Sequence, residues 1–217
     1  MKKMLFSVLI MGIILSMASC SCGEKEKEDE IYKQRPTYEM PTFNYDQPVS
    51  TTDGEINLRE MSLNISKLVD VDGISGEINL NSTGDEIRKI LNDNHIPYKI
   101  VGEDFEDEVV IIAEDGSIYH TGYDMDISIN ITKEGLFRGD NVDNLKKLYG
   151  EPDYIYGGYQ KNVFNHVYNI GKIPCKVAND KMRTAVLEIS VAEEIVITIR
   201  IRYLTDYEEA ENWFDQN

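Results

Sequence analysis

The stretch Arg138–Asp153, RGDNVDNLKKLYGEPD, constrains this chain more than any other. Val142, Leu145 and Leu148 recur at i, i+3 and i+6, which draws an apolar stripe along one side of a short helix. Asp140 or Asn141 can cap its start, since either side-chain oxygen accepts from the free N–H groups of a first turn. Lys146 and Lys147 fall in the last turn, where the helix dipole favours cations. Gly150 supplies a left-handed residue past the end, and Pro152 forbids continuation. From Asp153 almost to the C-terminus the pattern is that of β-strands. The helix must therefore lie on a sheet.

A similar grammar occurs earlier. Asn81–Leu91 is polar at its start and then amphipathic, with Ile87, Ile90 and Leu91 on one side; Pro97 stops it and Tyr98–Ile100 resumes as strand. Between the two helices, Glu108–Ala113 reads as a buried strand, Asp115-Gly116 as a hairpin turn, Ser117–His120 as its return, and Met125–Ile131 alternates with period two. Strands are expected later at Asp153–Tyr156, Asn162–Ile170, Lys172–Val177, Thr184–Val191 and Glu194–Leu204, with Ala192–Glu194 as the last hairpin turn. In Glu194–Leu204 one face is apolar and the other carries Arg200 and Arg202. Thr205 with Glu208 forms a capping box for a final helix over 205–217, whose Tyr207, Ala210, Trp213 and Phe214 can close a sheet edge. The pentapeptide GEINL occurs at Gly54–Leu58 and again at Gly76–Leu80, and Ile65 then matches Ile87, with Leu68 matching Ile90. The expected fold is α+β: an antiparallel sheet with short helices on one face, over residues 54–204, and with two repeats, 54–131 and 132–204, of a helix-plus-strands unit.

The front of the chain reads differently. Lys2 and Lys3 precede the apolar run Met4–Met17, and Met17-Ala18-Ser19-Cys20 has the form of a bacterial lipobox. Residues 1–19 are then a leader, and Cys20 is the acylated residue, palmitate-bearing and anchored to a membrane by more than one acyl chain. Cys22 is the poorer alternative, because Ser19 would then fill an apolar position. Residues 20–53 read as an acidic, proline-interrupted tether, about thirty residues reaching roughly 30 Å. Its aromatics Tyr32, Tyr38, Phe43 and Tyr45 suit docking on the domain or on a partner.

Charge narrows the partners. With 39 acidic against 22 basic residues the net charge is −17, which repels phosphate backbones and disfavours nucleic acid. Three cysteines are an odd number for a disulfide framework, and Cys175, within IPCKV, reads as a buried small hydrophobe.

GDNVDNLKKLYGEPD followed by antiparallel strands resembles an element of small bacterial lipoproteins. These include the small lipoprotein of the outer-membrane barrel-assembly machinery and the tandem-repeat β-lactamase-inhibitor-like superfamily. Gly139, Asp143, Leu145, Tyr149, Gly150 and Pro152 stand at the matching positions. The first half lacks the Gly-x-Pro ending and keeps Pro97 alone. The resemblance implies a helix packed on a strand meander, often duplicated, in proteins that bind other proteins or scaffold assemblies.

Catalytic and metal motifs are absent from the sequence: no GxSxG, P-loop, HExxH or CxxC, so neither cofactor nor metal is expected. His95 follows a helix end and suits capping. His120 lies near Asp124 and Asp126, Asp70–Gly73 reads as a turn rather than a calcium loop, and Glu103–Glu108 reads as a solvated acidic loop. Tyr154, Tyr156 and Tyr159, with Tyr168 across a hairpin through Gly157-Gly158, form the one constellation that suits contact with a partner protein or glycan. The expected role is a lipid-anchored cell-envelope protein that binds or scaffolds without catalysis. Two other classes stand beside it: a secreted hydrolase or glycan-processing enzyme built on acids around Asp124 and Asp126, and a structural envelope spacer.

Overall fold

Two four-stranded meanders meet in the middle of one antiparallel sheet. The computed structural model describes residues 48–51, 54–103, 108–122, 125–158, 160 and 162–210. The first meander comprises β3 (Tyr98–Glu103), β4 (Val109–Ala113), β5 (Ile118–His120) and β6 (Asp126–Ile129). The second comprises β7 (Tyr154–Gly157), β8 (Val163–Cys175), β9 (Lys181–Ala192) and β10 (Ile195–Tyr203). The sheet runs β3-β4-β5-β6-β10-β9-β8-β7, so the two halves join through their last strands, from Ile129 opposite Ile199 to Asp126 opposite Arg202. Both halves place a helix before four strands. Their strands differ in length: β9 and β8 run 12 and 13 residues, β5 and β6 only 3 and 4. A separate hairpin pairs β1 (Pro48–Thr51) with β2 (Gly54–Asn57), so the stretch read as tether up to residue 53 already contains a strand.

Alternation sends Ile111, Tyr119, Ile127, Ile129, Ile199, Ile201, Leu187 and Ile189 to one face, where all are buried with the helices in a single core. Helix α1 (Leu58–Ser66) is capped by Asn57, whose Oδ1 accepts from the Arg59 and Glu60 N–H groups at 2.9 and 3.3 Å; it buries Leu58, Met61 and Ile65. Helix α2 (Gly84–Asp93) opens on a capping box: Glu86 N–H donates to Thr83 Oγ1 at 3.3 Å and Thr83 N–H to Glu86 Oε2 at 2.8 Å. Its Ile87 and Leu91 are fully buried. In α3 (Val142–Tyr149) the cap is Asn141, which accepts from Asp143 N–H at 2.9 Å, while Asp140 accepts from Phe137 N–H at 3.2 Å. The helix rests on Val142, Leu145 and Tyr149, and Leu148 is 37% exposed. At 100° per residue, position 149 lies near the 142–145 meridian and position 148 swings off it. Gly150 ends α3 at φ 78° with its N–H on Lys146 O, as its sequence position requires.

Two strands expected at Asn162–Ile170 and Lys172–Val177 are the single strand β8, whose register shifts between Asn169 and Gly171. The β9–β10 turn places Glu193 and Glu194 at φ 49° and 67°, the mirror-image geometry that matches strand twist. A buried knot ties α1 to the meander. Asp115, 1% exposed, accepts from Ser62 Oγ, Ser117 Oγ and Ser117 N–H, each at 2.9 Å, and from Asn130 Nδ2 at 3.2 Å. Replacing Asp115 by Ala strands these donors without water, so urea unfolding should register a loss of about 3 kcal/mol; a loss below about 1 kcal/mol would mean the knot is not structural.

Candidate functional site

The face opposite α1, α2 and α3 is built around ions. On β10, Arg200 and Arg202 point outward between the core residues Ile199, Ile201 and Tyr203, and Glu188 points outward from β9. Register sets Glu188 beside Arg200, and Arg202 beside Asp126 of β6. Arg202 Nε and Nη2 donate to Glu188 Oε2 at 3.1 and 2.6 Å, and Arg200 Nη2 donates to Glu188 Oε1. From β7, Tyr156 Oη donates to Glu188 Oε2 at 2.7 Å. Helix α4 (Asp206–Ala210) closes the far side: Arg202 Nη1 and Nη2 reach Glu208 Oε2 and Oε1 at 2.7 and 2.8 Å. Asp126 sits 3.8 Å from Arg200 and directly across from His120. A hydroxyl relay continues the row, Thr198 Oγ1 to Ser190 Oγ to Asn165 Oδ1, each step 2.7 Å.

These surroundings push the carboxylates apart. Burial would raise Glu188, but Arg200, Arg202 and the Tyr156 hydroxyl outweigh it and hold Glu188 below the usual glutamate range. Glu208 is held low in the same way: Arg202 and the Thr205 N–H overcome its burial. For Asp126 burial wins, offset only in part by Arg200, His120 and Arg202, so its carboxyl lies above the usual value. Burial, then the Glu188 charge, pushes the Tyr156 hydroxyl up to about 12.

The expected tyrosine cluster divides. Tyr154 and Tyr156 sit together on the outer face, half-buried, rings 6.2 Å apart, packed on Val167, Val186 and Leu204. Tyr168 lies on the opposite face, because it follows Val167, the cross-strand partner of Tyr154, by one residue. Its ring is 5.8 Å from Tyr149 and its hydroxyl donates to Gly150 O at 3.2 Å, so Tyr168 braces the end of α3. Tyr159, Asp124, Cys20 and Cys22 lie outside the described residues.

Other sequence candidates resolve into structure. Cys175 is fully buried, as its apolar neighbours suggest. His95 ends α2 through its backbone at φ 55°, its N–H on Asn92 O. Asp72 Oδ1 accepts from Ile74 and Ser75 N–H at 2.9 Å, a turn as expected. No group of three or more metal-ligating side chains occurs among the described residues. A cleft of about 290 Å³ opens at the start of α2, lined by Thr83, Arg88, Thr121, Met125 and Lys176 among others. Met125 faces that cleft and the core, so strand alternation turns Asp126, one of the two acids of the hydrolase reading, to the opposite face.

The polar half of the network was visible in ITIRIRYL. Glu188 carries a fainter signal, a lone acid inside the otherwise apolar TAVLEISV. Among the described residues no helix is long and apolar enough to cross a membrane. The chain is an α+β protein: an eight-stranded antiparallel sheet with α1, α2 and α3 packed on one face and an ionic network that includes Glu208 of α4 on the other. Comparison with protein-family models, curated proteins and solved structures finds no match.

Glu188 and Glu208 titrate below their unfolded values, so their stabilisation is present above the usual glutamate range and is lost as pH falls through the folded values. Asp126 acts with the opposite sign: its cost is felt at neutral pH and relieved on acidification. Thermal unfolding should therefore hold steady near neutrality and decline below about pH 4. Glu188→Ala, which leaves Arg202 buried, should cost about 3–5 kcal/mol and flatten that acid decline.

Proposed function

We propose that this chain is a lipid-anchored protein of the bacterial cell envelope that acts by binding or scaffolding. The observation that carries the reading is Met17-Ala18-Ser19-Cys20 behind a basic and then apolar leader, ahead of an acidic tether. Acylated at Cys20, the chain would hold its α+β domain at a membrane surface, on its extracytoplasmic side. The sheet supports a binding role through Tyr154 and Tyr156. Their rings lie side by side, and the Tyr156 hydroxyl is fixed by a buried carboxylate. Aromatic side chains held in one orientation lose little entropy when a partner protein or glycan packs on them.

Labelling cells with radioactive palmitate tests the anchor. Label is expected on the wild-type chain and absent from Cys20→Ala; an unlabelled wild type, or a labelled variant, overturns it. Pull-down from detergent-solubilised envelopes tests the role. A reproducible partner that is lost in Tyr154→Ala, with the domain still folded, is the expected result, and recovery of none would leave the spacer in its place.

A further inference from the structure

The sheet ends in two edge strands, and they are defended differently. Strand β3 carries Lys99 and Glu103 and shifts register between Ile100 and Gly102; charge and irregularity both keep a further strand from adding. Strand β7 has neither device. It reads Tyr154-Ile155-Tyr156-Gly157, uncharged, and pairs with β8 in unbroken register from Tyr154 opposite Val167 to Gly157 opposite Phe164. Among the described residues no strand lies beyond it.

The hydrogen-bonding phase of β7 fixes which of its groups face outward. Gly158 N–H donates to Val163 O at 2.8 Å, one pair past Gly157 and Phe164. An antiparallel ladder bonds at every second pair, so Tyr156 and Tyr154 turn their main-chain groups to β8, and Ile155 and Gly157 turn theirs to the open edge. The same two residues carry shape. The Ile155 residue is 49% exposed. Two positions on, a Cβ at Gly157 would meet nothing within 4 Å, and Phe164 across from it is 52% exposed. Alternation puts Ile155, Gly157 and Phe164 on one face, the face of Tyr168.

We propose that the occupant of this edge is a second copy of the chain, its β7 added antiparallel about a two-fold axis at Tyr156. In that register Ile155 of each copy lies opposite Gly157 of the other, and each such pair exchanges two main-chain hydrogen bonds. Each Ile155 enters the open space at the other copy's Gly157 and covers its Phe164. Knob and hole stand two residues apart on one strand, so a two-fold fills both at once, the condition for a self-complementary interface. An axis one residue earlier, at Ile155, would bring Asp153 to Gly157 instead and leave Phe164 without an apolar cover. So small an interface makes a reversible dimer. The net charge of −17 on each copy opposes it, and salt relieves that opposition by screening.

Sedimentation equilibrium of the full chain, from about 1 to about 200 µM, tests this. The wild type should pass from monomer towards dimer within that range, and its dissociation constant should fall about threefold or more between about 0.05 and about 0.5 M salt. Gly157→Pro removes two of the four bonds at a place where an edge strand tolerates proline, because the N–H faces outward. It should weaken the dimer about tenfold or more while the circular dichroism of the fold is unchanged. Ile155→Lys, at a half-exposed position, should have the same effect and decides the matter where the proline disturbs the fold. A wild type that stays monomeric through the whole range would overturn the proposal and leave the edge to a strand of another protein. So would a dimer that both variants leave intact, since a different surface would then hold it.

Discussion

The guanidinium of Arg202 is the point on which the outer half of this molecule depends. It is 7% exposed, and its five N–H groups make five hydrogen bonds: three divided between Glu188 and Glu208 on one side chain nitrogen pair, one from Nε to Glu188, and one to Tyr203 O. A cation withdrawn from water to this degree is tolerable only where every donor is met and an opposing charge is close. The partners come from β9 and α4, and through Glu188 the network extends to Tyr156 of β7 and to Arg200, which lies near Asp126 of β6. One side chain thus links the seam between the two meanders, the edge hairpin and the C-terminal helix.

The sheet has two faces with different physics. Toward the helices, burial of aliphatic side chains supplies the drive to fold, and capping residues Asn57, Thr83 and Asn141 set where each helix begins. Away from them, charge and hydroxyl groups fix register and orientation, because a one-residue slip of β10 would exchange Arg202 with Ile201 and bury an unpaired cation in the core. Tyr154 and Tyr156 inherit their position from that second face. The placing of both rings therefore rests on the same ions that hold the seam.

Much of this was legible in the sequence, for identifiable reasons. Local chemistry fixed the start of α2, the end of α3, the β9–β10 turn and the Thr205–Glu208 box, since each rests on contacts within four residues. Tertiary context decided the rest. GEINL at Gly54–Leu58 ends a strand and begins α1, whereas at Gly76–Leu80 the same residues form a bend joined to Val69 by a single bridge. There a Cβ on Gly76 would stand 2.6 Å from Asp70 N, a packing demand invisible in the pentapeptide. Tyr168 could not be assigned a face without knowing that β8 is one continuous strand, and Glu188 gains its meaning only once β9 lies between β8 and β10.

A double-mutant cycle between Glu188 and Arg202, read by chemical denaturation of the single and double alanine variants, tests most directly whether the buried ion pair organises the outer face. A coupling energy of about 3 kcal/mol, with the double variant less damaged than the sum of the singles, is the predicted result. Additivity within about 0.5 kcal/mol would contradict the account, because the two groups would then be neighbours without depending on one another.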